Sequence, residues 1–242
     1  MLSKENLEEF TRKKQTDIQN VVREYIQHLF LSYLYQIPDS EHLLFKGGTA
    51  LRIILQSPRF SEDLDFTGFH ITQKKVEELF TNTLANIEKS GIQVELEEGK
   101  NTTGGYLGIA TFTAYNNRVQ VRIEVSLRNG KNYKGTRGVV ANDYIPTYTL
   151  VHLPIQQLIK GKTDALLSRH KPRDFYDFFF LLHGDYPEVR NQEILKKTLK
   201  LLKEQRLDFR AELKKLLPAS HVMLLRNFPK LLEEKILFYV KK

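Results

Sequence analysis

Residues 45–66 read Phe45-Lys46-Gly47-Gly48-Thr49-Ala50-Leu51-Arg52-Ile53-Ile54-Leu55-Gln56-Ser57-Pro58-Arg59-Phe60-Ser61-Glu62-Asp63-Leu64-Asp65-Phe66, and the fold is decided by how this stretch is read. A short apolar run at 42–45 predicts a buried strand, the glycine pair turns the chain, and 49–55 predicts a helix. After Pro58, residues 60–66 read as a second strand. Side chains two apart on a strand share a face. Asp63 and Asp65 are therefore expected to project together, with Leu64 and Phe66 facing the core. Adjacent carboxylates repel, and a divalent cation between them removes the penalty. Magnesium takes a few carboxylates together with phosphate oxygens, so the pair suits Mg2+ (or Mn2+) carrying a nucleoside triphosphate. Lys46, Gly47, Gly48 and Thr49 supply the complement. Glycine lets backbone amides approach a phosphate, a helix N-terminus presents its positive end, and Thr49 offers a hydroxyl. The plain structural alternative is a tight strand-to-helix turn with Thr49 as N-cap.

Downstream, 72–90 predicts an amphipathic helix stopped by Gly91, followed by strands at 92–97, 105–115 and 118–127. Asn116-Asn117 is the expected hairpin turn. In the last strand Val119, Val121, Ile123 and Val125 alternate with Arg118, Arg122, Glu124 and Ser126. Glu124 is the one acid of that polar face. Beside the Asp63–Asp65 strand it makes a three-carboxylate set able to hold two metals, or serves as general base. Alternatively it is an exposed partner of Arg118 or Arg122. The segment that follows carries Arg128, Lys131, Lys134 and Arg137. These four cations are candidates for an RNA backbone, or are simply solvated.

Upstream, 4–35 keeps a helical period that ends at Pro38-Asp39, and from 150 onward the pattern is helical, at 154–170, 173–183, 191–217 and 228–240. The expected architecture is an α/β domain with a small mixed sheet over 1–150, then an all-helical domain over 151–242 that completes an active cleft. Lys162 and Arg169 lie seven apart and share a helix face, one as a point charge for a triphosphate, the other as a fork for phosphate oxygens. Pro172 breaks that helix, and Arg173, Asp174 and Asp177 open the next. Read structurally, Asp174 caps the helix and Asp177 pairs with Arg173 or Lys171. Phe175, Tyr176, Phe178, Phe179 and Phe180 read as core, with Tyr176 kept as a base or ribose contact.

Composition bounds the rest. The chain has 242 residues, 41% of them hydrophobic, and no cysteine, which excludes disulfides and thiolate chemistry. The polar N-terminus is not a signal peptide and no run approaches a membrane span, so a cytoplasmic protein is expected. Residues 1–150 hold 18 basic and 18 acidic residues; 151–242 hold 19 and 11, the whole net charge of +8. That field attracts polyanions, or belongs to solvated lysine-rich helix faces.

The 45–66 stretch, with its Gly-Gly-Thr turn and Asp-x-Asp strand, resembles the signature of the AbiEii/AbiGii nucleotidyltransferase toxins, within the DNA polymerase β-like superfamily. Residues 162–181, KTDALLSRHKPRDFYDFFFL, resemble the last two family motifs, Lys162 and Arg169 matching one and Arg173, Asp174 and Asp177 the other. The resemblance covers roughly 40–183. It implies transfer of a nucleoside monophosphate from NTP to an acceptor, with Asp63, Asp65, Glu124, Lys162 and Asp174 as catalytic residues. It also implies a toxin–antitoxin or phage-abortive-infection role, a cognate antitoxin, and the 3′ end of tRNA as acceptor. Alternatives are a protein hydroxyl as acceptor, a two-metal nuclease, or a non-catalytic RNA- or partner-binding module.

Overall fold

The structure is a computed structural model that describes residues 2–127 and 134–241. In chain order its elements are α1 (Lys4–Lys13), α2 (Ile18–Leu34), β1 (Leu43–Lys46), α3 (Gly47–Leu55), β2 (Asp63–Gly68), α4 (Gln73–Lys89), β3 (Gln93–Thr102), β4 (Gly105–Ala114), β5 (Asn117–Leu127), β6 (Thr136–Val140) and β7 (Tyr148–His152). The helices α5 (Ile155–Arg169), α6 (Pro172–His183), α7 (Gln192–Glu204), α8 (Phe209–Leu213), α9 (Ala219–Val222) and α10 (Phe228–Val240) follow. The chain divides into an α/β unit, Met1–Gln56 with Phe60–Pro154, and a helical unit, Ile155–Lys242 together with Ser57–Arg59.

The sheet of the α/β unit runs β3-β4-β5-β2-β1-β7-β6. It is mixed: β2 is parallel to β5 and β1 to β7, while the other neighbours are antiparallel. Period-two alternation explains its two faces. Leu64, Phe66, Ile123, Val125 and Phe45 are buried. Phe45 packs on Phe66 (5.6 Å between ring centres), Phe66 on Phe80 of α4 (6.1 Å) and Phe80 on Phe30 of α2 (5.7 Å). Burying such a ring contributes roughly 1.5–3 kcal/mol, and each helix is laid on the sheet by its apolar stripe.

Several expectations are corrected. The helix expected over 4–35 is two helices, because Gln15 takes a positive φ of 52° and Asp17 caps a new start at Ile18. The strand expected from 60 begins at Asp63. The hairpin turn is Tyr115-Asn116, one residue early, both with the positive φ (51° and 62°) that a type I′ turn requires. Strands β6 and β7 were not expected; their short, polar-interrupted runs carry no clear period. In the helical unit the helix expected over 191–217 stops at Glu204, and α8 begins only at Phe209, behind an Asp208 cap. Gly91, at φ 91°, does end α4 as expected.

The helical unit builds its own core from α6, α8 and α10. Tyr176 stacks on Phe228 (5.8 Å), and Phe209 meets both Phe228 (4.9 Å) and Phe175 (5.9 Å).

Candidate active site

Register places the carboxylates. In the parallel β2–β5 pair Asp63 lies opposite Arg122 and Asp65 opposite Glu124; in the antiparallel β1–β2 pair Lys46 lies opposite Asp65. Paired residues on neighbouring strands point to the same side of a sheet, so Lys46, Asp65 and Glu124 form one row across three strands. Asp63 and Arg122 occupy the next row. The alternation of two strands thus brings Asp63, Asp65 and Glu124 to one face. Within it, Arg122 Nε donates to Glu124 Oε1 (2.5 Å), both side chains about half exposed (49% and 46%). This is the exposed pairing that stood as the alternative role for Glu124. Lys46 Nζ donates to Ser126 Oγ (3.3 Å).

The glycine turn abuts this row. Gly47 follows Lys46 directly and has a φ of +86°. A Cβ there would meet the Asp65 carboxylate at 2.0 Å from Oδ2 and 2.7 Å from Cγ. The first residue of α3 is therefore glycine for two reasons, backbone conformation and space. Thr49 is corrected in role: its hydroxyl, expected to face a phosphate, donates to the backbone carbonyl of Asp63 and is buried. It ties the turn helix to the carboxylate strand. Lys46, not Thr49, occupies the N-cap position. From below, Arg52 of α3 pairs with the buried Glu24 of α2, which also accepts from Tyr144 Oη (2.5 Å). Burial pushes the Glu24 carboxyl up, but Arg52 and Lys14 outweigh it and hold it below the usual range. Arg52 also lies 3.7 Å over the Phe60 ring.

As to a metal, Asp63 and Asp65 offer two carboxylates on one sheet face, the donor type that magnesium takes together with phosphate oxygens. Among the described residues no three acidic or histidine groups are gathered tightly enough to hold an ion, and Glu124 is engaged by Arg122. A hollow of about 720 Å³ in this unit is lined by Tyr25, Tyr33, Tyr35, Tyr144 and Tyr148, and by none of the carboxylates.

In the helical unit the motif residues form two clusters. Asp177, 0% exposed, takes a fork from Arg59, with Nε to Oδ1 at 2.7 Å and Nη2 to Oδ2 at 2.9 Å. Lys162 Nζ donates to the same Oδ2 (2.9 Å). Burial alone would raise the Asp177 carboxyl; Arg59 and Lys162 reverse this and hold it at about 2. The partners expected for Asp177, Arg173 or Lys171, are corrected: Arg173 Nε donates to Glu212 Oε1 (2.6 Å). Asp174, also buried, accepts from Arg169 Nε (2.9 Å) and Nη2 (2.7 Å) and caps α6 by accepting from Lys171 N (3.2 Å). Arg169 stays 48% exposed. Tyr176, read as core and kept as a base or ribose contact, is 2% exposed, and its hydroxyl shares a hydrogen with His221 Nδ1 (2.9 Å). Of the four basic loop residues, Lys134 and Arg137 are exposed, Arg137 on β6, whereas Arg128 and Lys131 lie outside the described residues.

Sequence reasoning missed Arg59 and Arg52. The available signal was an arginine beside Pro58 and Phe60 in a stretch otherwise turning toward the core.

The chain resembles two crystal structures from Helicobacter pylori, one described as a "putative nucleotidyltransferase" and the other as JHP933. Each has a TM-score of 0.62 and 20% identity; the matches cover 92% and 93% of this chain, and 95% and 94% of theirs. No curated protein matches it. No helix of the described residues is long and apolar enough to cross a membrane. The family model of the nucleotidyl transferase AbiEii toxin of type IV toxin–antitoxin systems matches residues 29–236. With a seven-stranded mixed sheet followed by helices, and that match over most of its length, the chain belongs to the AbiEii nucleotidyltransferase toxin family.

Proposed function

We propose that the protein transfers a nucleoside monophosphate from NTP to the 3′ end of an RNA, tRNA in the first place, in a magnesium- or manganese-dependent reaction. The observation that supports this is the packing of the Gly47 backbone against the Asp65 carboxylate, read as a phosphate-binding turn next to a metal-binding pair. Asp63 and Asp65 would hold the cation, and Glu124 would join them on release from Arg122. The cation supplies charge stabilisation for the reacting phosphate. The amides of Gly47 and Gly48 receive phosphate oxygens at the start of α3. Within the helical unit, Lys162, Arg169 and Arg173 are the proposed nucleotide-binding cations. Asp174 serves by orienting Arg169. The acceptor oxygen bonds to the α-phosphorus as the bond to pyrophosphate breaks, and the hydroxyl proton passes to Glu124.

The RNA acceptor rests on charge. The α/β unit holds 17 basic and 18 acidic residues, the helical unit 20 and 11, so the surplus of +9 belongs to the helical unit. Binding one nucleotide leaves most of it unused, and an RNA backbone would use it. Arg128, Lys131, Lys134 and Arg137 are proposed as RNA contacts in their own right. A cognate antitoxin and a cytoplasmic location belong to the same reading.

The test offers each labelled NTP with Mg2+ or Mn2+ and total tRNA at several salt concentrations. Label at RNA 3′ ends with pyrophosphate release is expected, with RNA affinity falling at a log–log slope of roughly 0.7–0.9 per phosphate contact. Label confined to protein bands would transfer the reading to a protein hydroxyl. Absence of pyrophosphate release would overturn it.

A further inference from the structure

Arg59 stands on the short segment Ser57–Arg59 that leaves α3, belongs to the helical unit and returns to β2. It is 3% exposed, and its guanidinium grips Asp177, 118 residues away in sequence. A buried Arg–Asp pair is already neutral, and neither partner then calls for a third charge. Here a third is present. Lys162, whose side chain is 11% exposed, binds the same carboxylate, so two cations share one anion and the cluster carries a net positive charge. An ammonium has three donors; among the described residues one of those of Lys162 is engaged, by Asp177.

We propose that Arg59 is a positioning residue for nucleotidyl transfer: by neutralising Asp177 through its fork, it lets that carboxylate orient Lys162 without cancelling the lysine charge offered to the polyphosphate. This rests on the assignment of Lys162 given under Proposed function. Without Arg59, Lys162 and Asp177 form a closed neutral pair with nothing left for an anion. The same logic explains why the carboxylate is shared rather than matched one to one. Asp177 fixes direction, Arg59 preserves charge, and Lys162 touches the ligand.

A role confined to folding and a role in charge balance make opposite statements about a double variant. The full chain is compared with Arg59→Met, Arg59→Lys and Arg59→Met/Asp177→Asn. The readouts are NTP kinetics by pyrophosphate release, inorganic tripolyphosphate binding by calorimetry, and thermal melting. Arg59→Met should weaken tripolyphosphate binding and raise KM by about tenfold to a hundredfold, the scale of one lost charged contact. Arg59→Met/Asp177→Asn removes the anion too, frees Lys162 and should recover most of that loss. Arg59→Lys keeps the charge while losing the fork and should bind far better than Arg59→Met. A double variant as weak as Arg59→Met, or Arg59→Lys as weak as Arg59→Met, overturns the proposal. If Arg59→Met does not fold, the double variant and Arg59→Lys are read against wild type, and tenfold weaker binding in either overturns it. Charge-dependent tripolyphosphate binding in a wild-type protein that releases no pyrophosphate would defeat the transferase reading and leave standing only the charge balance by which Arg59 keeps Lys162 available to a polyphosphate. Normal transfer with charge-independent binding would do the reverse.

Discussion

Gly47→Ala separates backbone strain from loss of the site, because the structure contains its control. Gly47 and Gly104 have nearly the same φ, +86° and +91°. A Cβ at Gly104 meets nothing within 4 Å, whereas at Gly47 it would overlap Asp65 Oδ2 at 2.0 Å. An L-residue in the left-handed region costs roughly 1–2 kcal/mol. Gly104→Ala should therefore lower the melting temperature by about 2–8 °C, at about 2–4 °C per kcal/mol for a chain of this size, and leave transfer intact. Gly47→Ala bears the same strain and must also displace the Asp65 carboxylate, since carbon and oxygen cannot approach to 2.0 Å. A shift of about 1 Å in a reacting constellation costs on the order of a hundredfold in rate. Pyrophosphate release from NTP and thermal melting, run on both variants, give the comparison. Adding Asp65→Ala to Gly47→Ala removes the overlaps with Oδ2 and Cγ and leaves only the one with the Asp65 Cβ at 2.8 Å, so the double variant should melt above Gly47→Ala without reaching Gly104→Ala. Gly47→Ala retaining activity within about threefold of wild type, against that hundredfold expectation, would refute the packing of turn against carboxylate as the organising feature of the site.

Asp63→Ala and Asp65→Ala should each abolish transfer and growth inhibition while leaving the protein folded; a melting curve and a toxicity assay check both halves. The third prediction concerns acid. His28 is buried against Tyr148 Oη (2.9 Å), and burial pushes its imidazole down to about 4 from 6.5. The unfolded chain then binds the proton first, so the stability His28 contributes is complete above pH 6.5 and is lost as pH falls toward 4. The gap corresponds to about 3 kcal/mol. Asp177, held at about 2 against 3.8 unfolded, keeps its contribution down to 3.8 and loses it as pH falls from there toward 2. Denaturant unfolding between pH 7 and 4 should show the decline in wild type and a flatter profile in His28→Gln; equal slopes would disprove the assignment.

Much of the site is legible in the sequence because it is encoded locally. Alternation over Asp63–Leu64–Asp65–Phe66 and over 118–126 assigns faces through the backbone alone, and a glycine pair between a strand and a helix needs no distant partner to be recognised. The helical character beyond 150 follows equally from period. Other features depend on contacts between residues far apart in sequence, which no local pattern specifies. The parallel pairing that sets Asp65 opposite Glu124 joins strands separated by two others and a helix. Thr49 is drawn from phosphate to the Asp63 carbonyl because its side chain is buried, where a hydroxyl must find a partner. Asp177 is taken by Arg59 rather than by its neighbours on α6 because a buried carboxylate requires a buried cation, and only the path of the folded chain brings that arginine to it. Sequence determined which chemical groups the protein possesses and which way its strands present them; tertiary structure decided which of those groups are spent on one another and which remain for a ligand.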